Sequence, residues 1–352
     1  MKRNFKFSII MSVYNVEKYI DDAVNSIVNQ TLNFKENVEI IFVNDGSIDE
    51  SLKKCEKFKD LYGDNVKIIT QKNSGLAIAR LNGYSHSSGE LVNFMDPDDI
   101  LSPETLENVS QFYEKNRNKI DVVAIPIYMF QDRTGPHPLN AKFSKGTRIV
   151  DLNDEYNVFQ LSMATAFFQR NALRELSADP RIVVAEDAKE IIKILNKKKT
   201  LGLVKEAKYN YRIRSNSLIT TSQSKKAWYI DHLKYFFKET VDFFLKEQKN
   251  LPKFVQYTLL YELSSKFKQY RPKEGILSES ELKEYQDLLF SSVIYFDNDV
   301  ICNHQYLPLE HKIYLTYIKN RTCWVDSFMP PPPPRFFLDQ NPFLRNAFYS
   351  LQ

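Results

Sequence analysis

Residues 5–28 read FKFSIIMSVYNVEKYIDDAVNSIV, and a change of period within them sets the fold class. Residues 5–14 form an apolar run rich in β-formers, too short for an ordinary helix and typical of a strand buried on both faces of a parallel sheet. Beyond it Tyr19, Ile20, Ala23, Val24, Ile27 and Val28 recur at helical spacing, on one face of a helix that Asn15 is placed to cap. The alternation then repeats. Residues 38–43 predict a second strand ending at Asn44-Asp45-Gly46-Ser47, and Asp49 is placed to cap a helix over 50–62. Further strands are expected at 66–70, 91–95 and 122–130, with helices near 75–85 and 103–115 between them. Such alternation implies right-handed βαβ units and an open, mostly parallel α/β sheet covered by helices on both faces.

Residues 131–146 carry two prolines, two glycines and little periodicity, and read as a loop at the edge of an active site. Mixed structure is expected over 156–221. From residue 225 the pattern turns helical, over 225–249, 252–270 and 279–290. Residues 330–334 are five consecutive prolines, restricted to polyproline II or an extended linker. The expected organisation is a catalytic unit over residues 1–224, an α-helical region over 225–328, and a proline-rich linker with an aromatic tail over 329–352. No internal repeat is found.

The 352 residues are 43% hydrophobic and 26% charged, with a formal net charge of +4. That balance suits a globular protein and argues against a dedicated nucleic-acid binder, which needs a concentrated basic face. Cys55, Cys302 and Cys323 are too sparse and scattered for a disulfide framework or a zinc site. The five histidines show no ligand spacing. Residues 1–7 run straight into the first strand rather than a signal sequence, and no apolar run reaches the roughly 18 residues that span a bilayer. A cytoplasmic protein is expected, reaching membrane-linked material as a peripheral visitor at the inner face. Its aromatic C-terminal helices offer a surface for a homo-oligomer.

In an open parallel sheet, ligands bind beyond the carboxyl ends of the strands. Those ends here are polar: Ser12-Val13-Tyr14-Asn15, Asn44-Asp45-Gly46-Ser47 and Asp96-Pro97-Asp98-Asp99. The last is the sharpest element. Pro97 stiffens a turn in which three carboxylates repel one another unless a cation or hydrogen-bond donors compensate. Mg²⁺ or Mn²⁺ suits it, since hard cations take carboxylate oxygens and share phosphates. The plainer reading is an acidic turn that caps the helix starting near Pro103.

The chain resembles glycosyltransferase family 2, inverting enzymes of the GT-A fold. The resemblance lies in SIIMSVYN (8–15), VNDGSID (43–49), NSGLAIARLNG (73–83) and GELVNFMDPDD (89–99), in the family's order and spacing. Farther on, Ala185-Glu186-Asp187 is similar to the family's Glu-Asp element, and YNYRIRS (209–215) to the tyrosine-arginine strand that follows it. Within the superfamily the chain looks closest to enzymes building bacterial capsule, teichoic acid or lipopolysaccharide.

The resemblance implies an enzyme moving a sugar from a nucleoside-diphosphate sugar, with a UDP-sugar favoured, to a saccharide or polyol-phosphate acceptor. Asp45 would bond the base, with Ser12, Tyr14 and Asn15 shaping its pocket. Arg80 would face the diphosphate, where a guanidinium fork suits phosphate oxygens. Asp96 would hold the ribose or the metal, and Asp98 would be the principal metal ligand. Asp187 would be the catalytic base, with Glu186 as its fallback. Glu186, Arg212 and Arg214 are further candidates for acceptor or diphosphate contacts. Two positions depart from the pattern: Ser12 is often proline and Leu81 often asparagine. Neither departure removes a group the chemistry needs. The rival readings are a nucleotidyltransferase, which lacks here its glycine- and lysine-rich loop, and a catalytically silent scaffold, which has no reason to hold repelling carboxylates.

Overall fold

The computed structural model describes residues 5–182, 184–214 and 224–322. The strands are β1 (Phe7–Val13), β2 (Val38–Asn44), β3 (Val66–Thr70), β4 (Leu91–Phe94), β5 (Ile100–Leu101) and β6 (Val122–Ala124). They continue with β7 (Ile127–Gln131), β8 (Gly135–Pro136), β9 (Arg148–Asp151), β10 (Ala166–Gln169), β11 (Thr200–Leu203) and β12 (Tyr209–Ile213). In the first half the helices are α1 (Ile20–Val28), α2 (Phe34–Asn37), α3 (Ser51–Tyr62), α4 (Leu76–Ser85) and α5 (Thr105–Asn116). After α6 (Glu186–Lys198) come α7 (Glu239–Glu247), α8 (Lys253–Lys268), α9 (Glu279–Ser291), α10 (Asn298–Asn303) and α11 (Leu309–Thr322).

The main sheet has eight strands in the order β3-β2-β1-β4-β10-β6-β11-β9. Strand β1 runs parallel to both neighbours, β2 and β4, so the chain winds to either side of it. The carboxyl ends of all three therefore meet on one rim. Alternation along β1 divides the interior. Phe7, Ile9 and Met11 pack with Ile40, Phe42, Ala23, Val24, Phe58 and Leu106 on one face. Ile10 turns to the other, with Ile41, Phe94 and Ala79. A Cβ on Gly83 would lie 2.3 Å from the Ile10 Cγ2; only glycine lets α4 sit this close to β1.

The helices after residue 224 belong to that second core. Phe236, Phe244, Leu260, Leu263 and Tyr285 share one cluster with Ile10, Ile41, Ile191 and Leu195. Helix α6 is the hinge of the packing: Lys189 donates to the Tyr235 carbonyl at 3.0 Å and pairs with Glu239 at 3.1 Å. The helical region is thus continuous with the interior of the catalytic unit.

Several local expectations are corrected. Asn15 does not cap α1: it takes a left-handed φ of +53°, which asparagine tolerates, and its side-chain oxygen accepts the Ile48 N–H at 3.0 Å. Helix α1 starts at Ile20 without a side-chain cap. The strand expected over 122–130 breaks at Pro126, which cannot donate to a ladder. Its first part, β6, stays in the main sheet, while β7 joins a second sheet ordered β5-β12-β7-β8. The loop expected over 131–146 contains β8 and a 3₁₀ turn, Pro138–Phe143. The first helix expected after 225 is a 3₁₀ turn, then a π-helix over His232–Lys238, then α7. No described helix is long and apolar enough to cross a membrane. The five-proline run and the tail after it lie outside the described residues.

Candidate active site

Beyond the end of β2, Asp45 is 4% exposed and turned inward. Its Oδ1 accepts the Gln71 side-chain amide and the Ser74 N–H, both at 2.8 Å, and its Oδ2 accepts the Gly75 N–H at 2.9 Å. The carboxylate thus fixes the loop that starts α4. Gly46, at φ +78°, lets that loop approach: a Cβ there would lie 3.0 Å from the Asn73 nitrogen. Beside it, Tyr14 projects outward at 48% exposure. Ser12 Oγ is buried with no partner among the described residues.

Helix α4 delivers Arg80 into the midst of the acidic side chains. Its guanidinium pairs with Asp96 at 3.2 Å, with Glu186 at 3.8 Å and, most closely, with Asp187. Burial alone would favour loss of its proton, but Asp187, Asp96 and Glu186 hold it charged. The Asp187 Oδ2 also accepts the Met163 N–H at 2.9 Å. Ala185, just before Glu186 and Asp187, takes a left-handed φ of +68°. For an alanine that costs about 1–2 kcal/mol, and such strain concentrates at functional sites.

Burial pushes Asp96 up to about 6, with Arg80 opposing and the Asp98 charge adding to the rise. Burial and the Asp187 charge likewise push Glu186 up to about 7, against Arg80. Asp98 is paired with Arg214. Asp99 faces inward, where its Oδ1 accepts the Arg212 N–H at 2.7 Å.

Arg212 is held by its own chain. Its Nε donates to the Asp98 carbonyl at 2.6 Å, and its two Nη groups bond Gln131 and Asp22, each at 3.0 Å. Its plane also lies over Phe130 and Tyr19, at 4.6 and 5.0 Å from their centroids. In this arrangement it clamps β12 to the acidic turn. Buried Tyr209, on the same strand, accepts the Asp96 N–H at 3.2 Å. Its role was not legible in the sequence, since it supports the turn from a different sheet.

The structure therefore brings Arg80, Asp96, Glu186 and Asp187 together, with Asp98 and Arg214 beside them and Asp45 and Tyr14 along the rim. Among the described residues, no group of three or more His, Cys, Asp or Glu side chains is arranged to hold a metal ion. Asp96 and Asp98 supply two carboxylates at most. That number fits a Mg²⁺ or Mn²⁺ site completed by phosphate and water, and the Asp98 charge, which adds to the rise that burial causes at Asp96, is one that a cation would offset.

Residues 8–177 match Glycosyl transferase family 2. The minor teichoic acid biosynthesis protein GgaB of Bacillus subtilis is 37% identical over 338 residues, covering 93% of this chain and 37% of that protein. GgaA of the same organism, also a minor teichoic acid biosynthesis protein, is 32% identical over 320 residues, 89% of this chain and 71% of its own length. This chain thus spans little more than a third of GgaB but most of GgaA. Among solved structures, S. aureus TarS residues 1–349 in complex with UDP-GlcNAc has a TM-score of 0.70 at 20% identity, covering 90% of this chain and 88% of that one. More distantly, a mannosyltransferase from Pyrobaculum calidifontis in complex with GDP-Man and Mn²⁺ has a TM-score of 0.52 at 15% identity, covering 93% and 89%. The family match along the sheet, the similarity to GgaA over most of its length and the shared GT-A-like fold place the chain in glycosyltransferase family 2.

Proposed function

We propose that the chain transfers a sugar, with inversion, from a UDP-sugar to a hydroxyl of a saccharide or polyol-phosphate acceptor in teichoic-acid-type polymer synthesis. The observation that carries the reading is Arg80, one buried guanidinium bound to Asp96 of the acidic turn and to Asp187 at the start of α6. The relatives' part in teichoic acid synthesis and the UDP-GlcNAc bound by TarS support the acceptor class and the donor.

Arg80 is the ligand for the donor diphosphate. As its forks turn to phosphate oxygens, Asp187 loses its resting cation and becomes free to accept a proton. The acceptor oxygen attacks the anomeric carbon and its proton passes to Asp187. The bond from that carbon to the diphosphate breaks, and its electron pair leaves on the UDP oxygen. Asp98 and Asp96 would hold a divalent cation, which when bound would supply charge neutralisation to the diphosphate; the Mn²⁺ in the Pyrobaculum calidifontis structure supports this assignment. Tyr14 provides an aromatic face at the rim for the base.

A thermal-shift panel of nucleotide sugars, with and without Mn²⁺, tests the reading. Stabilisation by UDP-sugars that requires Mn²⁺ is the expected result. No stabilisation by any nucleotide sugar would contradict it.

A further inference from the structure

A pocket of about 180 Å³ lies between the 3₁₀ turn Pro138–Phe143, the start of β9 and the stretch that follows α10. Lys142, Lys145, Arg148 and Glu155 line it, with the rings of Phe159 and Tyr306 beside them. Pockets for drug-sized ligands run to about 300–1,000 Å³, so this one suits a single small group rather than a nucleotide sugar. Three cations against one carboxylate leave its lining positive. Glu155 is already engaged: it takes the Arg148 fork at 2.6 and 2.9 Å and the Lys145 ammonium at 2.8 Å. Those bonds hold its carboxyl below the usual range.

Lys142 has no carboxylate partner among the described residues. Its Nζ donates to the Phe159 carbonyl at 2.8 Å and to the Gln160 Oε1 at 2.6 Å, which leaves one of its three protons for another acceptor. Burial pushes this ammonium down to about 7, and a bound anion would restore its charge. Arg148 also keeps a donor in hand: its Nε is buried and has no partner among the described residues. Buried donors without acceptors are unfavourable, and an oxyanion supplies acceptors to an ammonium and a guanidinium at once.

The pocket is tied to the transfer site through the backbone. Gln160, which accepts from Lys142, donates its amide to the Ser162 carbonyl at 2.7 Å. The next residue is Met163, whose N–H donates to Asp187. Phe159 and Met163 stand four residues apart, a span of no more than about 14 Å. That separation is within reach of a chain molecule whose hydroxyl lies at Asp187 and whose next units extend toward Lys142.

We propose that Lys142, Lys145 and Arg148 form a phosphate subsite, which holds a phosphate of a polyol-phosphate acceptor while a hydroxyl of the same molecule reaches Asp187. The acceptor assignment rests on the transferase reading above; the anion pocket does not.

The full chain is titrated calorimetrically with inorganic phosphate, a glycerol phosphate trimer and glycerol, with UDP present to occupy Arg80. Both phosphates should bind saturably and glycerol should not. Lys142→Met should raise both Kd values about tenfold, the loss of one charge-assisted hydrogen bond. The Lys145 side chain is 66% exposed, so Lys145→Gln leaves the core intact and should raise them about threefold. UDP affinity should stay within about twofold in both variants. Absence of saturable binding by either phosphate, glycerol binding as tightly as the trimer, or Kd values unchanged in both variants overturns the subsite. Binding of inorganic phosphate without the trimer overturns the acceptor assignment. Failure of the wild-type chain to bind UDP contradicts the donor reading, while the two lysine variants still decide the pocket.

Discussion

Arg80 and Asp187 lie 107 residues apart in sequence and are bonded in the structure, joining the helix expected to face the diphosphate to the element expected to carry the base. The pair sits where the acidic turn, α4 and α6 converge, and its charges act on both Asp96 and Glu186.

Arg80→Ala leaves Asp96, Glu186 and Asp187 facing one another without a cation. Breaking a buried ion network in this way costs about 3–5 kcal/mol. The loss should shrink as pH falls, because the carboxylates take up protons. Melting temperatures of wild type and variant between pH 5 and pH 8 check this: a gap that widens with pH is expected, and a constant gap would oppose it.

Asp98→Asn removes the principal anionic ligand and the partner of Arg214. UDP affinity in Mn²⁺ should fall about 10- to 100-fold, in the range seen when a metal site loses a supporting group. Affinity measured in chelator should be almost unchanged. Calorimetry with and without EDTA gives both numbers, and tight, chelator-sensitive binding by the variant would exclude Asp98 as the ligand.

Burial and the Asp187 charge push Glu186 up from an ordinary 4.5 to about 7. The folded protein therefore holds this proton more tightly than the unfolded chain does. Stability is greatest below about pH 4.5 as far as this group is concerned, and falls as pH rises through about 7. Glu186→Gln should flatten the decline in melting temperature across that window. An unchanged slope would mean that the group does not titrate there.

The continuous core predicts the fate of a truncation. Cutting after residue 224 strips Phe236, Phe244, Leu260 and Leu263 from the cluster that covers Ile10, Ile41 and Ile191. With this packing the shortened chain should aggregate or melt well below the full chain. A soluble, cooperatively folding fragment with unaltered UDP affinity would show the two parts to be independent.

Legibility followed the distance over which each feature is determined. Strands β1, β2 and β4 announce themselves through short apolar runs, and their polar ends are adjacent because β1 pairs with both neighbours. Asp96 and Asp98 were accessible because they stand between the end of β4 and the start of β5, whereas Arg80, inside α4, was pointed to only by the family resemblance. The break at Pro126 was marked by the proline, yet the second sheet that it creates depends on β12, more than eighty residues later. Ala185 carries no sign of its left-handed backbone, since alanine pays for that conformation and sequence offers no reason to expect it.

The most direct test of the account is the Asp187→Asn variant in a UDP-release assay with a UDP-sugar, Mn²⁺ and an acceptor that supports wild-type turnover. Loss of a general base typically costs about 10²–10⁴ in rate, whereas the amide keeps its shape and can still accept the Met163 N–H. Turnover should fall by that factor, with UDP affinity and melting temperature close to wild type. Near-normal turnover in Asp187→Asn would contradict the assignment of Asp187 as the base and, with it, the proposed division of labour between Asp187 and Arg80.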